Sequence, residues 1–193
     1  MTIEVRVYNY AAVSADTLAR SQEEAARIYQ RTGIRIEWLD CPLTPEEAAL
    51  NTACDLPAAA TRFTLRLLSR SMAQKLPLGR EIFGLALLPP DGEFGVMANV
   101  CAGCAQEMTE GNESPRSGIL GHLMTHELGH LLLGTATHSA AGIMHIPWRT
   151  QELERIKQGV MFFLPEQSER IRAQVLARTA TERAAAFLFS GGT

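Results

Sequence analysis

The sequence predicts an α/β fold: a twisted mixed sheet of about five strands, one of them antiparallel, with helices packed against it. Three observations lead to this prediction. Apolar and polar residues alternate in two short segments near the start of the chain, which is the period of a half-buried strand. A segment of helical length separates these two strands, as in a β-α-β unit. A long, largely apolar helical segment follows in the second half of the chain and has to be buried.

The first strand is predicted over residues 3–8, where apolar and polar side chains alternate. Ser14 can cap a helix that runs to about Thr32, and Gly33 can end it. The alternation returns over residues 34–38, which predicts the second strand. Because a helix joins the two strands, we expect them to be parallel neighbours.

The middle of the chain supplies the other three strands. Residues 40–62 contain three prolines and read as a long connection with one helical turn near Glu46. Residues 63–68 then form the third strand. Strands over residues 83–88 and 94–100 flank a Pro-Pro-Asp-Gly turn sequence, so we expect them to pair as an antiparallel hairpin.

One long buried helix is predicted in the second half of the chain. The polar residues 105–116 form a surface loop, at whose end Ser114 supplies an N-cap and Pro115 the first helical position. The helix is apolar around most of its circumference and ends near Gly134, and an irregular segment then runs to about Trp148. Two further helices are predicted after it, over residues 151–158 and from Pro165 onward.

Length and composition fit a single globular domain over residues 1–193. Hydrophobic residues make up 46% and charged residues 20% of the chain, so a core can be buried. The net charge of -3, with scattered Lys and Arg, argues against a nucleic-acid partner. No apolar run approaches the roughly 18 residues that a membrane span needs.

The four cysteines fall into two groups and leave the compartment open. Cys41 and Cys54 bracket the proline-containing connection, and a disulfide between them is the favoured interpretation. Cys101 and Cys104 can be a redox pair, or with the other two a second, four-cysteine zinc site. No secretion signal precedes the first strand. We therefore expect either an exported protein whose signal has been removed or a cytoplasmic one.

The buried helix carries the sequence His126-Glu127-Leu128-Gly129-His130. Side chains four residues apart share one helix face, so both imidazoles can bind a single zinc ion. Zinc lowers the pKa of a bound water from about 15.7 to about 7, and Glu127 can then take up its proton as general base. The competing interpretation is a helix whose histidines make ordinary hydrogen bonds.

A catalytic zinc ion needs a third protein ligand and one open position. His138 follows the helix end at Gly134 by four residues and is the favoured third ligand. Glu152 and Glu154 on the following helix are the alternatives, in an arrangement that would resemble the gluzincins. His122 lies one turn before His126, too far along a straight helix to share the ion with His130, and is interpreted as a non-ligand.

These residues, together with Gly142-Ile143-Met144, resemble the signature of the metzincin family of zinc peptidases. The resemblance implies one zinc ion per chain, held by His126, His130 and His138, with Met144 as the methionine of the turn beneath the metal. Two spacings depart from the family pattern. Gly134 follows His130 by four residues instead of three, and His138 follows it by eight instead of six, while the segment from His138 to Met144 is correspondingly short.

The resemblance also implies a peptide or protein substrate. His145 can contact the substrate or serve only in the loop, and Ile146, Pro147 and Trp148 can form an apolar wall of a specificity pocket or simply pack in the core. The strand over residues 94–100 can pair with an extended substrate by strand addition. We therefore predict hydrolysis of peptide bonds, and the rival function is a zinc-stabilised binding module without catalysis. The sequence leaves the oligomeric state open.

Overall fold

The computed structural model describes residues 1–50, 52–57, 59–76, 83–90, 93–109 and 113–190 of the chain. These residues form five strands and seven α-helices, which confirms the predicted α/β class with a mixed sheet. The strands are β1 (Thr2–Asn9), β2 (Arg35–Cys41), β3 (Arg62–Leu68), β4 (Gly84–Leu87) and β5 (Met97–Cys101). The helices are α1 (Ala15–Arg31), α2 (Pro45–Leu50), α3 (Arg70–Ala73), α4 (Ala102–Met108), α5 (Glu113–Leu133), α6 (Thr150–Lys157) and α7 (Pro165–Ser190). No described helix is both long and apolar enough to cross a membrane.

The strand order in the sheet is β2-β1-β3-β5-β4, and all neighbours are parallel except β4 and β5. The register places Thr2 beside Arg35 and Tyr8 beside Cys41, so the predicted parallel pairing of the first two strands is confirmed. The antiparallel pairing of the hairpin strands is also confirmed. Asp91 and Gly92 of its predicted turn lie outside the described residues.

The edge strands of the sheet are β2 and β4. Of the two hairpin strands, β4 and not β5 therefore lies at the edge. Within the described residues β4 has one neighbour, whereas β5 pairs with β3 on one side and β4 on the other. The prediction that the strand over residues 94–100 adds a substrate strand is therefore wrong, because both of its sides are taken. The sequence did not reveal this, because hairpin pairing alone does not say which of the two strands lies at the edge of the sheet.

Helix α5 is the central helix of the core. It packs against α1, β4, β5 and α7, and it is buried around its whole circumference, as its apolar sequence predicted. Each fully buried Leu, Ile or Met side chain contributes about 1.5–3 kcal/mol relative to exposure. The helix is therefore fixed in position by the core. Its fully buried apolar residues include Ile119, Leu120, Leu123, Met124, Leu128, Leu131 and Leu132.

The long connection after β2 contacts the other face of the sheet at β1. Arg6 on β1 donates hydrogen bonds to the carbonyls of Cys54 and Leu56, at 3.1 and 2.6 Å. A disulfide of 2.06 Å joins Cys54 to Cys41 at the end of β2. The connection is thereby held against the outer face of β1 and β2.

The predicted surface loop over residues 105–116 is wrong for the residues that the structure describes. Its first part belongs to α4, and α5 already includes Glu113, two residues before the predicted first helical position. Ser114 therefore lies inside the first turn instead of capping it, and Pro115 is tolerated there because first-turn N–H groups have no intrahelical acceptor. Residues 110–112 lie outside the described residues.

Helix α4 forms because its start is buried and crosslinked. Ala102, Cys104 and Ala105 are buried, and the Cys101 sulfur accepts a hydrogen bond from the Cys104 N–H at 3.1 Å. A disulfide also joins Cys101 to Cys104. All four cysteines are thus disulfide-bonded, and the alternative of a four-cysteine zinc site is wrong.

Candidate metal centre

Three histidines converge at the carboxyl-terminal half of α5. His126 and His130 lie one turn apart on the helix and are 4% and 5% exposed, while His138 comes from the exposed loop that follows. One ring nitrogen from each lies within 4.8 Å of the other two. In the described part of the chain this is the one group of three or more potential metal ligands of this kind.

The loop returns to the helix because of two local features. Gly134 has a φ of 62°, a left-handed conformation that ends α5 and reverses the chain at little cost for glycine. The Ser139 N–H then donates to the Met144 carbonyl at 2.9 Å, which closes the loop next to His138. The loop in this way brings the ring of His138 to the cluster.

The hydrogen bonds of the two helical histidines fix their tautomers. Nδ1 of His126 lies 2.7 Å from the Ile143 carbonyl, and Nδ1 of His130 lies 2.8 Å from the Thr135 carbonyl. A carbonyl oxygen only accepts, so each Nδ1 carries the proton and each Nε2 carries a lone pair. Histidine ligands of metals are commonly oriented by such a bond from the second nitrogen.

The two Nε2 atoms face each other at 3.0 Å. Two lone pairs at this distance repel unless a proton or a cation lies between them. Burial lowers the pKa of His126 to about 3, with the neighbouring His130 adding to the effect, and burial also lowers the pKa of His130. Both rings are therefore neutral near pH 7, and the donor set of three imidazole nitrogens fits a zinc ion.

Met144 is 1% exposed and packs against α5 at Gly129. A Cβ atom built on Gly129 would lie 2.7 Å from the Met144 sulfur, well inside an ordinary contact of about 3.5–4.0 Å. Glycine at position 129 therefore lets the methionine pack against the helix between His126 and His130. The turn itself needs Gly142, whose φ is 75°.

The side chain of Glu127 lines the same cavity as the histidines and reaches β4, where it lies against Gly84. Its side chain is buried, and its carboxylate accepts a hydrogen bond from the Ala86 N–H. Burial raises the pKa of Glu127 to about 8, and the Ala86 N–H partly opposes this. A dication on the adjacent histidines would favour the charged form and lower that pKa.

An apolar cavity of about 150 Å³ opens at the histidine cluster. Trp148 and Ile146, two residues of the predicted apolar wall, line it, and the ring of Trp148 stands edge-on to His126 at 5.8 Å between centroids. The cavity is also lined by residues of and beside β4 that sequence reasoning did not identify: Phe83, Gly84, Leu85, Ala86 and Leu88. The sequence predicted only that these residues belong to a hairpin. It did not predict that β4 packs against α5.

His145 does not line this cavity. It faces a separate depression with Glu152 and Arg155, and its Nδ1 lies 3.1 Å from the Ser139 carbonyl. His122 lies outside the cluster as expected, with Nδ1 2.8 Å from the Gly118 carbonyl.

The two candidate downstream carboxylates are engaged elsewhere. Glu152 accepts the Arg149 N–H at the start of α6 at 2.9 Å, and Glu154 pairs with Lys157 at 2.7 Å. Neither belongs to the histidine cluster. The gluzincin-like alternative, with a glutamate as third ligand, therefore has no support in the described residues.

Comparison with known structures shows that the fold is similar to that of a zinc-dependent peptidase. The crystal structure of a zinc-dependent peptidase from Methanocorpusculum labreanum is similar to this chain with a TM-score of 0.59. The similarity covers 86% of this chain and 99% of that one, at 16% sequence identity. No family model matches the chain, and no curated protein matches its sequence. The chain thus has the fold of a zinc-dependent peptidase together with three histidines that can hold a metal ion.

Proposed function

We propose that this chain is a zinc-dependent peptidase of the metzincin kind. The observation that carries the proposal is the pair of Nε2 lone pairs of His126 and His130, which face each other at 3.0 Å beside the third imidazole of His138. The buried carboxylate of Glu127 on the same helix supplies a base that a purely structural metal site does not need. The peptidase fold of the structural relative supports the same conclusion.

Each residue of the site has a separate task. His126, His130 and His138 hold one zinc ion per chain, which supplies a Lewis acid that lowers the pKa of water and polarises a peptide carbonyl. An Oε atom of Glu127 takes the proton from the attacking water and passes it to the leaving amine nitrogen. The apolar walls formed by Trp148 and its neighbours exclude bulk water and so strengthen these electrostatic interactions.

The substrate is a peptide in extended conformation. The outer edge of β4 borders the cavity, and an extended chain can pair with an open strand edge through main-chain hydrogen bonds. The cavity lining of Phe83, Leu85, Ile146 and Trp148 favours an apolar side chain near the cleaved bond. The two disulfides favour an oxidising compartment, and hence export.

A metal measurement and one carboxylate substitution test the proposal. Purified, dialysed protein should hold about one zinc ion per chain, measured by elemental mass spectrometry. Glu127→Ala should keep the zinc ion and lose cleavage of a peptide library. Glu169→Ala, which removes an exposed carboxylate on α7, is the matched control and should cleave like the unsubstituted protein.

The outcomes separate the rival functions. Equal cleavage by Glu127→Ala would exclude the mechanism, while zinc binding without cleavage by any form would favour a zinc-stabilised binding module. His138→Ala should weaken zinc retention, and His145→Ala on the same loop should not. Unchanged zinc affinity in His138→Ala would place the third ligand elsewhere.

A further inference from the structure

The edge strand β4 is in direct contact with the buried carboxylate on α5. Directly before β4, the Phe83 carbonyl accepts a hydrogen bond from the Cys101 N–H at 2.7 Å. In an antiparallel ladder, hydrogen-bonded and non-hydrogen-bonded pairs alternate. Residues 83, 85 and 87 therefore direct their N–H and C=O groups toward β5, whereas the amides of Gly84 and Ala86 point to the open edge.

Glu127 uses one of these outward amides. Its carboxylate accepts the Ala86 N–H, and its side chain is 4% exposed. A bond to an edge-strand amide places the carboxylate beside the line along which an extended peptide would pair with β4. The strand that would pair with the peptide therefore also holds the carboxylate of Glu127.

Gly84 leaves the space that this carboxylate occupies. A Cβ atom built on Gly84 would lie 2.5 Å from both Cγ and Oε1 of Glu127, and nearer still to its Cδ. No real side chain tolerates such contacts. The atoms that would have to move are the flexible end of Glu127 rather than backbone. A side chain at position 84 would therefore displace the carboxylate while leaving the strand in place.

We infer that Gly84 is a positioning residue for the general base: it fixes where the Glu127 carboxylate lies, and the Ala86 N–H holds it there. The role in catalysis rests on the proposed function, whereas the placement of the carboxylate rests on geometry alone. The three atoms nearest to a Cβ built on Gly84 all belong to Glu127, so we expect Gly84→Ala to displace the carboxylate and to leave metal binding intact.

The test compares Gly84→Ala with a matched glycine on α5. Gly118→Ala is the control, because a Cβ atom there meets only Ile156, at 3.9 Å. Gly84→Ala should retain about one zinc ion per chain and a KM within about twofold. Its kcat should fall on the order of 10²-fold, since a misplacement of about 1 Å in a catalytic site has effects of this size. Gly118→Ala should keep the kcat of the unsubstituted protein.

A thermal-unfolding cycle with Glu127→Ala separates the placement from the activity. In the Glu127→Ala background the obstructing atoms are gone, so Gly84→Ala should raise the melting temperature by about 1–4 °C, because alanine loses less conformational entropy than glycine. In the unsubstituted background the same change should lower it. A Gly84→Ala variant that fails to fold only when Glu127 is present supports the inference equally.

Two results would overturn the inference. One is the same shift in melting temperature in both backgrounds, and the other is an unchanged kcat in a zinc-loaded Gly84→Ala protein. Absence of peptidase activity in the unsubstituted, zinc-loaded protein would overturn the proposed function instead, and the unfolding cycle would still decide where the carboxylate lies.

Discussion

Replacing Arg178 should destabilise the protein more than replacing another arginine of the last helix. Arg178 lies on α7 and is 1% exposed. Its guanidinium donates to the carbonyls of Ala60, Gly95 and Leu131, at 2.8, 3.1 and 2.7 Å. Burial lowers the pKa of Arg178 to about 10, so the group stays charged at neutral pH. One side chain thus joins the segments before β3 and β5 to the end of α5, at the residue that follows His130.

The magnitude follows from what Arg178→Met would leave behind. Methionine refills most of the volume but donates no hydrogen bond, so three carbonyls would lose their donor. An unsatisfied buried polar group costs about 1–3 kcal/mol, and partial relaxation reduces the sum to about 4 kcal/mol. For a chain of this size that corresponds to a melting temperature lower by about 8–16 °C.

Arg172→Met is the matched control for this prediction. Arg172 lies on the same helix, is half-buried, and donates one hydrogen bond, to the Thr32 carbonyl at 3.1 Å. Its loss should cost about 1 kcal/mol. Thermal and urea unfolding followed by circular dichroism measure both variants, with unchanged m-values as the check on a common unfolded state. Equal losses in the two variants, or a drop below about 2 °C for Arg178→Met, would refute the reasoning.

Two further predictions concern packing and pH. Gly129→Ala should destabilise the protein by about 1–2 kcal/mol and weaken zinc binding, because overpacking against Met144 outweighs the helix propensity gained. The control Gly118→Ala should instead stabilise the protein by up to about 1 kcal/mol. If urea unfolding showed the same increase in stability for both variants, the prediction for Gly129 would be wrong. Burial raises the pKa of Tyr29 well above 10, so the stability it contributes is present below pH 10 and is lost as the pH rises and the unfolded chain ionises. Tyr29→Phe should therefore show a shallower loss of unfolding free energy between about pH 9 and 11, and an unchanged slope would refute that assignment.

The sequence by itself determined the elements that depend on local pattern. The two-residue alternation before residue 40 gave the parallel strands β1 and β2, because the period of strand side chains is a local property. The apolar segment around residues 119–132 gave the buried helix, since no surface helix is apolar on all sides. The four-residue spacing of His126 and His130 placed both imidazoles on one face, which follows from helix geometry alone.

The tertiary structure decided what depends on contacts between distant segments. Sequence spacing left His138 and the downstream glutamates as alternative partners, and only the closure of the loop against Met144 brings the imidazole of His138 into the cluster. Nothing local distinguishes Arg178 from a surface arginine, and it is buried because α7 crosses three chain segments that present carbonyls to it. The contact between Gly84 and Glu127 arises because β4, and not β5, forms the sheet edge beside α5. Local periodicity fixes the conformation of a segment, but which segment becomes its neighbour is set by the burial of the whole core.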